Sequence, residues 1–203
     1  MISIVKYKEN DDFTKKMSSV CDARLIWGGN ETINKIKNFK TQERSKDVIF
    51  ADRYSFSIIN SEKILKNDSF ELDLLLKRFY NDTYLVDQNA CSSPRLIIWT
   101  GKKINKAKKK FWSELSKLVS KKYDLPEVAV VDKFSHLCKE IIKNPIVKKF
   151  EKFSNYIYTV QLKDLDENSD NIKSKWGFFY EFQVNKLNSI SKFINKKYQT
   201  LTY

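Results

Sequence analysis

A single histidine, His136, three cysteines and four glycines are all that the 203-residue sequence offers to several common chemistries. One histidine excludes a histidine-rich metal site within the chain. It also leaves a cysteine–histidine dyad only if His136 folds back onto a thiol. Cys21, Cys91 and Cys138 are widely spaced and form no CxxC pair. Any disulfide would leave one thiol over, which is the usage of a reducing compartment. No apolar run approaches the length needed to span a bilayer, and no signal peptide is visible, so a cytoplasmic protein is expected. No repeat, low-complexity tract or Pro/Gly-rich linker divides the chain. With glycine so scarce, Gly28, Gly29, Gly101 and Gly177 each mark a place where the backbone needs a turn.

Fourteen phenylalanines and ten tyrosines supply a real core and exclude a disordered chain despite the charge. The net charge of +13 raises nucleic acid as a partner. The lysines, however, are spread along the whole chain. Their densest cluster, Lys102 to Lys110, lies on one expected helix. That pattern reads first as a solvated face, or as a surface that welcomes a phosphate-bearing cofactor, and only second as a nucleic-acid site.

Hydrophobic periodicity predicts strands over 2–7, 24–27, 48–50, 55–60, 95–100, 155–162 and 177–184, with a last one beginning near residue 200. Helices are predicted over 11–20, 31–39, 70–86, 104–123, 134–143 and 188–196. Leu72, Leu75, Leu76, Phe79 and Thr83 share one face of the third helix. Ile104, Ala107, Phe111, Leu115, Leu118 and Val119 form the buried side of the fourth. Strands alternating with helices of this length imply an α/β fold, a mostly parallel sheet with helices on both faces.

The chemistry concentrates in Val86-Asp87-Gln88-Asn89-Ala90-Cys91-Ser92-Ser93-Pro94-Arg95, between a helix and a strand. An isolated cysteine is most often structural. Here its neighbours are polar or small, and structural cysteines prefer apolar ones. Backbone N–H groups at a tight helix-to-strand link can lower a thiol pKa and bind an oxyanion. Cys91 is therefore the candidate nucleophile, with Asn89 and Ser92 beside it. By contrast, His136 and Cys138 are two apart on one helix, share no face, and read as structural. Cys21 reads as a core residue. The stretch Phe178-Phe179-Tyr180-Glu181-Phe182 reads as a sheet packed on both faces, ahead of an acyl tunnel.

The string Asp87-Gln88-Asn89-Ala90-Cys91-Ser92-Ser93-Pro94-Arg95 resembles the nucleophile segment of the aldehyde dehydrogenase superfamily. Within it, the string is most similar to the bacterial long-chain acyl-CoA reductases, the branch that includes the fatty acid reductase of luminous bacteria. Ile26-Trp27-Gly28-Gly29-Asn30-Glu31-Thr32-Ile33 is similar to that family's strand–glycine–helix segment near the cofactor. The stretch from Ile194 to Tyr203 is similar to its late catalytic segment.

The resemblance implies an aldehyde dehydrogenase-like catalytic domain. Residues 1–47 would be a remnant of the dinucleotide-binding domain, and 48–203 a catalytic cysteine domain cut short at its C-terminus. The full-length parent is expected to be more than twice as long, and a homo-oligomer. The implied activity is NADPH-dependent reduction of an acyl-CoA or acyl-protein thioester, with an acyl-protein synthetase as a candidate partner. Gly28, Gly29 and Asn30 are the implied cofactor-binding residues, and no metal is implied.

Two departures matter. The general-base Glu of most aldehyde dehydrogenases is missing from Phe50-Ala51-Asp52-Arg53-Tyr54, which suits a reductase that does not hydrolyse its acyl-enzyme. The cofactor-ribose Glu before Gly177 is also missing, and Lys173 or Lys175 stands near its place. The competing reading is a non-catalytic basic binding module on a degenerate fold of the same kind, with the Lys102 to Lys122 helix as its surface.

Overall fold

The computed structural model describes residues 4–8, 10–165, 169 and 174–203. The chain divides into two compact units, Met1–Asp52 and Arg53–Tyr203.

In the first unit, helix α1 (Asp11–Val20) starts at Asn10, whose side chain accepts the N–H groups of Asp12 and Phe13. Strand β1 (Ala23–Trp27) and strand β2 (Lys46–Phe50) pair in parallel, with helix α2 (Asn30–Lys37) between them. β1 alternates, burying Arg24 and Ile26 and exposing Leu25 and Trp27. Buried Arg24 grips Asp47 of β2 through two hydrogen bonds of 2.7 Å and donates to the carbonyl of Ile36 in α2. The pairing raises the Arg24 pKa and lowers that of Asp47. The strand expected over 2–7 does not form over residues 4–7, and its other residues lie outside the described ones. Among the described residues no strand pairs with this alternation to complete a ladder.

The second unit is a six-stranded sheet in the order β5-β6-β7-β4-β3-β8. Its strands are β3 (Tyr54–Asn60), β4 (Leu96–Thr100), β5 (Val147–Phe153), β6 (Ile157–Leu162), β7 (Phe178–Val184) and β8 (Tyr198–Thr202). All pairs are parallel except β5 with β6. Helices α3 (Ser61–Lys66), α4 (Ser69–Thr83) and α5 (Ile104–Lys122) cover one face. On that side Ile97 and Trp99 of β4 meet Phe79, Phe111, Trp112 and Phe179. Helix α6 (Glu127–Lys143) and a 3-10 segment (Leu187–Phe193) cover the other, where Leu96, Ile98, Phe178 and Tyr180 pack on Leu137 and Ile190. A parallel strand buried on both faces reads as a continuous apolar run, which Leu-Ile-Ile-Trp in β4 supplies.

Four further elements depart from expectation. The short α3, begun by an Asn60 cap, and the lysine-rich edge strand β5 were not foreseen. α6 begins seven residues earlier than the periodicity indicates, and the helix expected over 188–196 is a 3-10 segment. Among the described residues no helix is long and apolar enough to cross a membrane.

Candidate active site

α4 ends in a 3-10 turn, Tyr84–Val86, and the chain then passes through two successive left-handed residues, Asp87 at φ 54° and Gln88 at φ 60°. Such values are uncommon without glycine, and each costs on the order of 1 kcal/mol. They turn the backbone out of the helix, and Gln88 N–H closes the bend on the Thr83 carbonyl. Cys91 and Ser92 occupy the centre of the next turn, closed by Ser93 N–H donating to the carbonyl of Ala90 at 3.1 Å. Pro94 and Arg95 lead into β4. The Ser55 hydroxyl of β3 donates to the Cys91 carbonyl at 2.6 Å, and the Ser93 hydroxyl donates to the carbonyl of Asp82. Sheet and helix thus both hold the turn.

Cys91 is half-buried and carries a free thiol. The N–H groups of Ala90, Cys91 and Ser92 have no hydrogen-bond acceptor among the described residues. Asn89 and Ser92, which flank Ala90 and Cys91 in the chain, are exposed. Three unengaged donors beside a thiol can hold negative charge that develops on an acyl oxygen. One expectation fails: Cys21 and Cys138 are not buried but half-buried, like Cys91. Cys21 follows α1, with its thiol on the Met17 carbonyl at 2.9 Å, and Cys138 sits on the less covered side of α6. Burial therefore does not separate the three thiols; the turn around Cys91 does.

Sequence reasoning quoted Gln88 within the motif but missed its role. Its amide is 1% exposed and bonds to Pro94, Gly177 and Phe178. Gly177 and Phe178, about ninety residues away, leave no local signal. Gly177 at φ 77° is the counterpart: a Cβ there would lie 2.1 Å from the Tyr156 carbonyl oxygen.

Gly28, Gly29 and Asn30 lie in the first unit, where β1 runs into α2. Gly29 occupies the N-cap position, no side chain caps the helix, and a Cβ on Gly29 would meet nothing within 4 Å. Open ground over an uncapped helix start after a parallel strand fits a phosphate-bearing dinucleotide approached by backbone. Glu31 in the first turn opposes a phosphate, so the fit rests on Gly28, Gly29 and the backbone of Asn30. Lys173 lies outside the described residues, and Lys175 is exposed.

Several charged side chains serve the fold instead. Lys108, in the densest lysine cluster, is buried and pairs with Glu181 at 2.6 Å, which corrects the reading of that cluster as a solvated face. Lys110 donates to the carbonyls of Ile64 and Asn67. Lys133 of α6 is buried, donating to the carbonyls of Asn155 and Trp176, and burial beside Lys152 pushes its ammonium pKa down to about 7. His136 meets the Tyr180 hydroxyl at 3.0 Å. With two α5 lysines engaged inward, random duplex DNA should bind weakly and be released at moderate salt. Fluorescence anisotropy against salt tests this, and saturable binding near physiological ionic strength would restore the basic-module reading.

Comparison with known proteins follows the same outline. A family model described as acyl-CoA reductase (LuxC) matches residues 1–133, which include Gly28 to Asn30 and the whole cysteine turn. No curated protein matches the chain. Among solved structures, succinic semialdehyde dehydrogenase from Streptococcus pyogenes, in complex with NADP+, aligns with a TM-score of 0.61 at 11% identity. The alignment covers 93% of this chain and 44% of that one. Aldehyde dehydrogenase 21 from Physcomitrella patens, in complex with succinate, gives 0.58 at 11% identity, covering 91% and 39%. The NAD-dependent benzaldehyde dehydrogenase of Corynebacterium glutamicum gives 0.56 at 9%, covering 91% and 41%. At such identities the likeness is one of fold: the α/β architecture is that of the aldehyde dehydrogenases. The chain spans less than half the length of each of these enzymes.

Proposed function

The chain belongs to the LuxC acyl-CoA reductase family, and on that premise we propose that the whole protein reduces long-chain acyl thioesters to fatty aldehydes through Cys91, with NADPH as cofactor. The Cys91 thiolate adds to the thioester carbonyl, and the oxygen takes up the electron pair of the carbonyl π bond. The unengaged N–H groups of Ala90, Cys91 and Ser92 are the donors this chain can bring to that oxyanion. Collapse expels the thiolate of the donor, which takes a proton from solvent, and leaves an acyl-Cys91 thioester. CoA and protein-borne donors leave alike, since each departs as a thiolate. When bound, NADPH supplies the hydride that brings the acyl carbon to the oxidation level of an aldehyde. Cys91 then departs as a thiolate while the carbonyl re-forms. Gly28, Gly29 and the backbone of Asn30 are the residues that would meet the cofactor, and the NADP+ bound by the S. pyogenes enzyme supports a nicotinamide group.

The observation that carries this reading is the half-exposed thiol at the centre of a turn with three unengaged N–H donors. Its test is direct. On incubation with tetradecanoyl-CoA, intact mass should show one added acyl group, removable by neutral hydroxylamine and mapped to Cys91. No adduct on folded protein, or an adduct confined to Cys21 or Cys138, would count against the proposal.

A further inference from the structure

We propose that Gln88 is the positioning residue of Cys91: its side-chain amide holds the cysteine turn to the head of β7, and the reactivity of the thiol depends on that hold. The inference rests on the reading of Cys91 as the nucleophile.

An amide side chain offers two N–H donors and one carbonyl acceptor with two lone pairs. Gln88 uses all four positions inside the protein. Its Nε2 donates to the carbonyl of Pro94, on the cysteine side, and to that of Phe178, on the strand side, both at 3.0 Å. Its Oε1 accepts the N–H groups of Gly177 at 3.1 Å and Phe178 at 3.2 Å. No other side chain repeats this. Asn is one methylene short, Glu as a carboxylate accepts but cannot donate, and Met does neither. A complete buried network fixes geometry, whereas an incomplete one loses the hold and leaves orphaned groups.

The surroundings reinforce the hold. Asp87 accepts Trp176 N–H on its carbonyl and the Tyr123 hydroxyl on its carboxylate. On the opposite flank Ser55 donates to the Cys91 carbonyl, and Arg95 N–H donates to the Ser55 carbonyl. The Cys91 backbone is therefore suspended between β3, through Ser55, and β7, through Gln88. Without the amide, the left-handed backbone of Gln88 keeps only its N–H bond to the Thr83 carbonyl, its tie to β7 is lost, and the turn that presents the N–H groups of Ala90, Cys91 and Ser92 relaxes.

Gln88→Glu and Gln88→Met provide the test on the full chain. Glu keeps the acceptor for the Gly177 and Phe178 N–H groups and loses both donors, to the carbonyls of Pro94 and Phe178, while Met loses every bond at similar size. The readout is the ratio of the Cys91 to the Cys138 alkylation rate by iodoacetamide between pH 6 and 9. A general loss of stability exposes both thiols and moves the two rates together, whereas loss of positioning moves Cys91 alone. We expect the ratio to fall at least tenfold in both variants and its pH profile to shift. A ratio and profile within threefold of the unmodified chain, in a variant that keeps its circular dichroism, overturns the proposal. If neither variant folds, amide exchange in the unmodified chain decides. Slow exchange at Gly177 and Phe178, lost on alkylation of Cys91, supports the coupling; fast exchange at both, or exchange indifferent to alkylation, sinks it. The functional reading fails on a different result, an unmodified chain in which Cys91 takes up no acyl group.

Discussion

Lys108→Met should destabilise the second unit by about 3–5 kcal/mol, among the largest effects of any single change outside the cysteine turn. Lys108 and Glu181 are both buried and meet at 2.6 Å, joining α5 to the central strand β7. The other carboxylate oxygen of Glu181 accepts the indole N–H of Trp99 at 2.7 Å and of Trp112 at 2.8 Å. Removing the ammonium strands a carboxylate in apolar surroundings, with two indoles fixed on it. Thermal unfolding should fall by on the order of 10 °C. Lys108→Met combined with Glu181→Gln should recover most of the loss, because the amide oxygen still accepts both indoles and no charge remains buried. The two changes are thus strongly non-additive. A cost below about 1 kcal/mol for Lys108→Met would show that the pair is solvated and that the packing around it is looser than described.

How much of this was legible beforehand depends on the reach of each contact. The buried stripe of α5 follows from spacing alone, and so does its exception: Lys108 stands four residues after Ile104 and three before Phe111, on that same stripe. A lysine there is a signal of a buried partner, obscured by the lysines on either side. The parallel sheet was legible in the alternation of strands and helices, and the cysteine turn in its small polar residues. Other features were hidden because their causes are distant. β5 carries Lys148, Lys149 and Lys152, which suit an edge strand but mask its alternation. Gln88 is a plain polar residue in sequence and becomes structural only when Gly177 and Phe178 arrive from the other end of the domain. Residues 4–7 show the converse, a strand-like pattern with which no strand pairs among the described residues.

Cys91→Ala and Cys91→Ser should abolish acyl-adduct formation, and a limiting dose of a thiol alkylator should modify Cys91 before Cys21 or Cys138. All three thiols are free and half-buried, so access alone predicts similar rates. What differs is the backbone. Cys21 has its thiol engaged on the Met17 carbonyl. Cys138 lies on α6, where helix hydrogen bonds occupy the N–H groups. Around Cys91 the N–H groups of residues 90 to 92 are unengaged and can meet a thiolate or the oxyanion it forms. An advantage of tenfold corresponds to about 1.4 kcal/mol in the barrier, within the range of one well-placed donor. Serine retains the size of the side chain but not the nucleophilicity, so Cys91→Ser separates the chemistry from the packing. Peptide mapping after brief treatment reads the ranking directly. If Cys21 or Cys138 is modified first while Cys91 stays silent in folded protein, the nucleophile is misassigned, and the reductase reading loses the residue on which its chemistry depends.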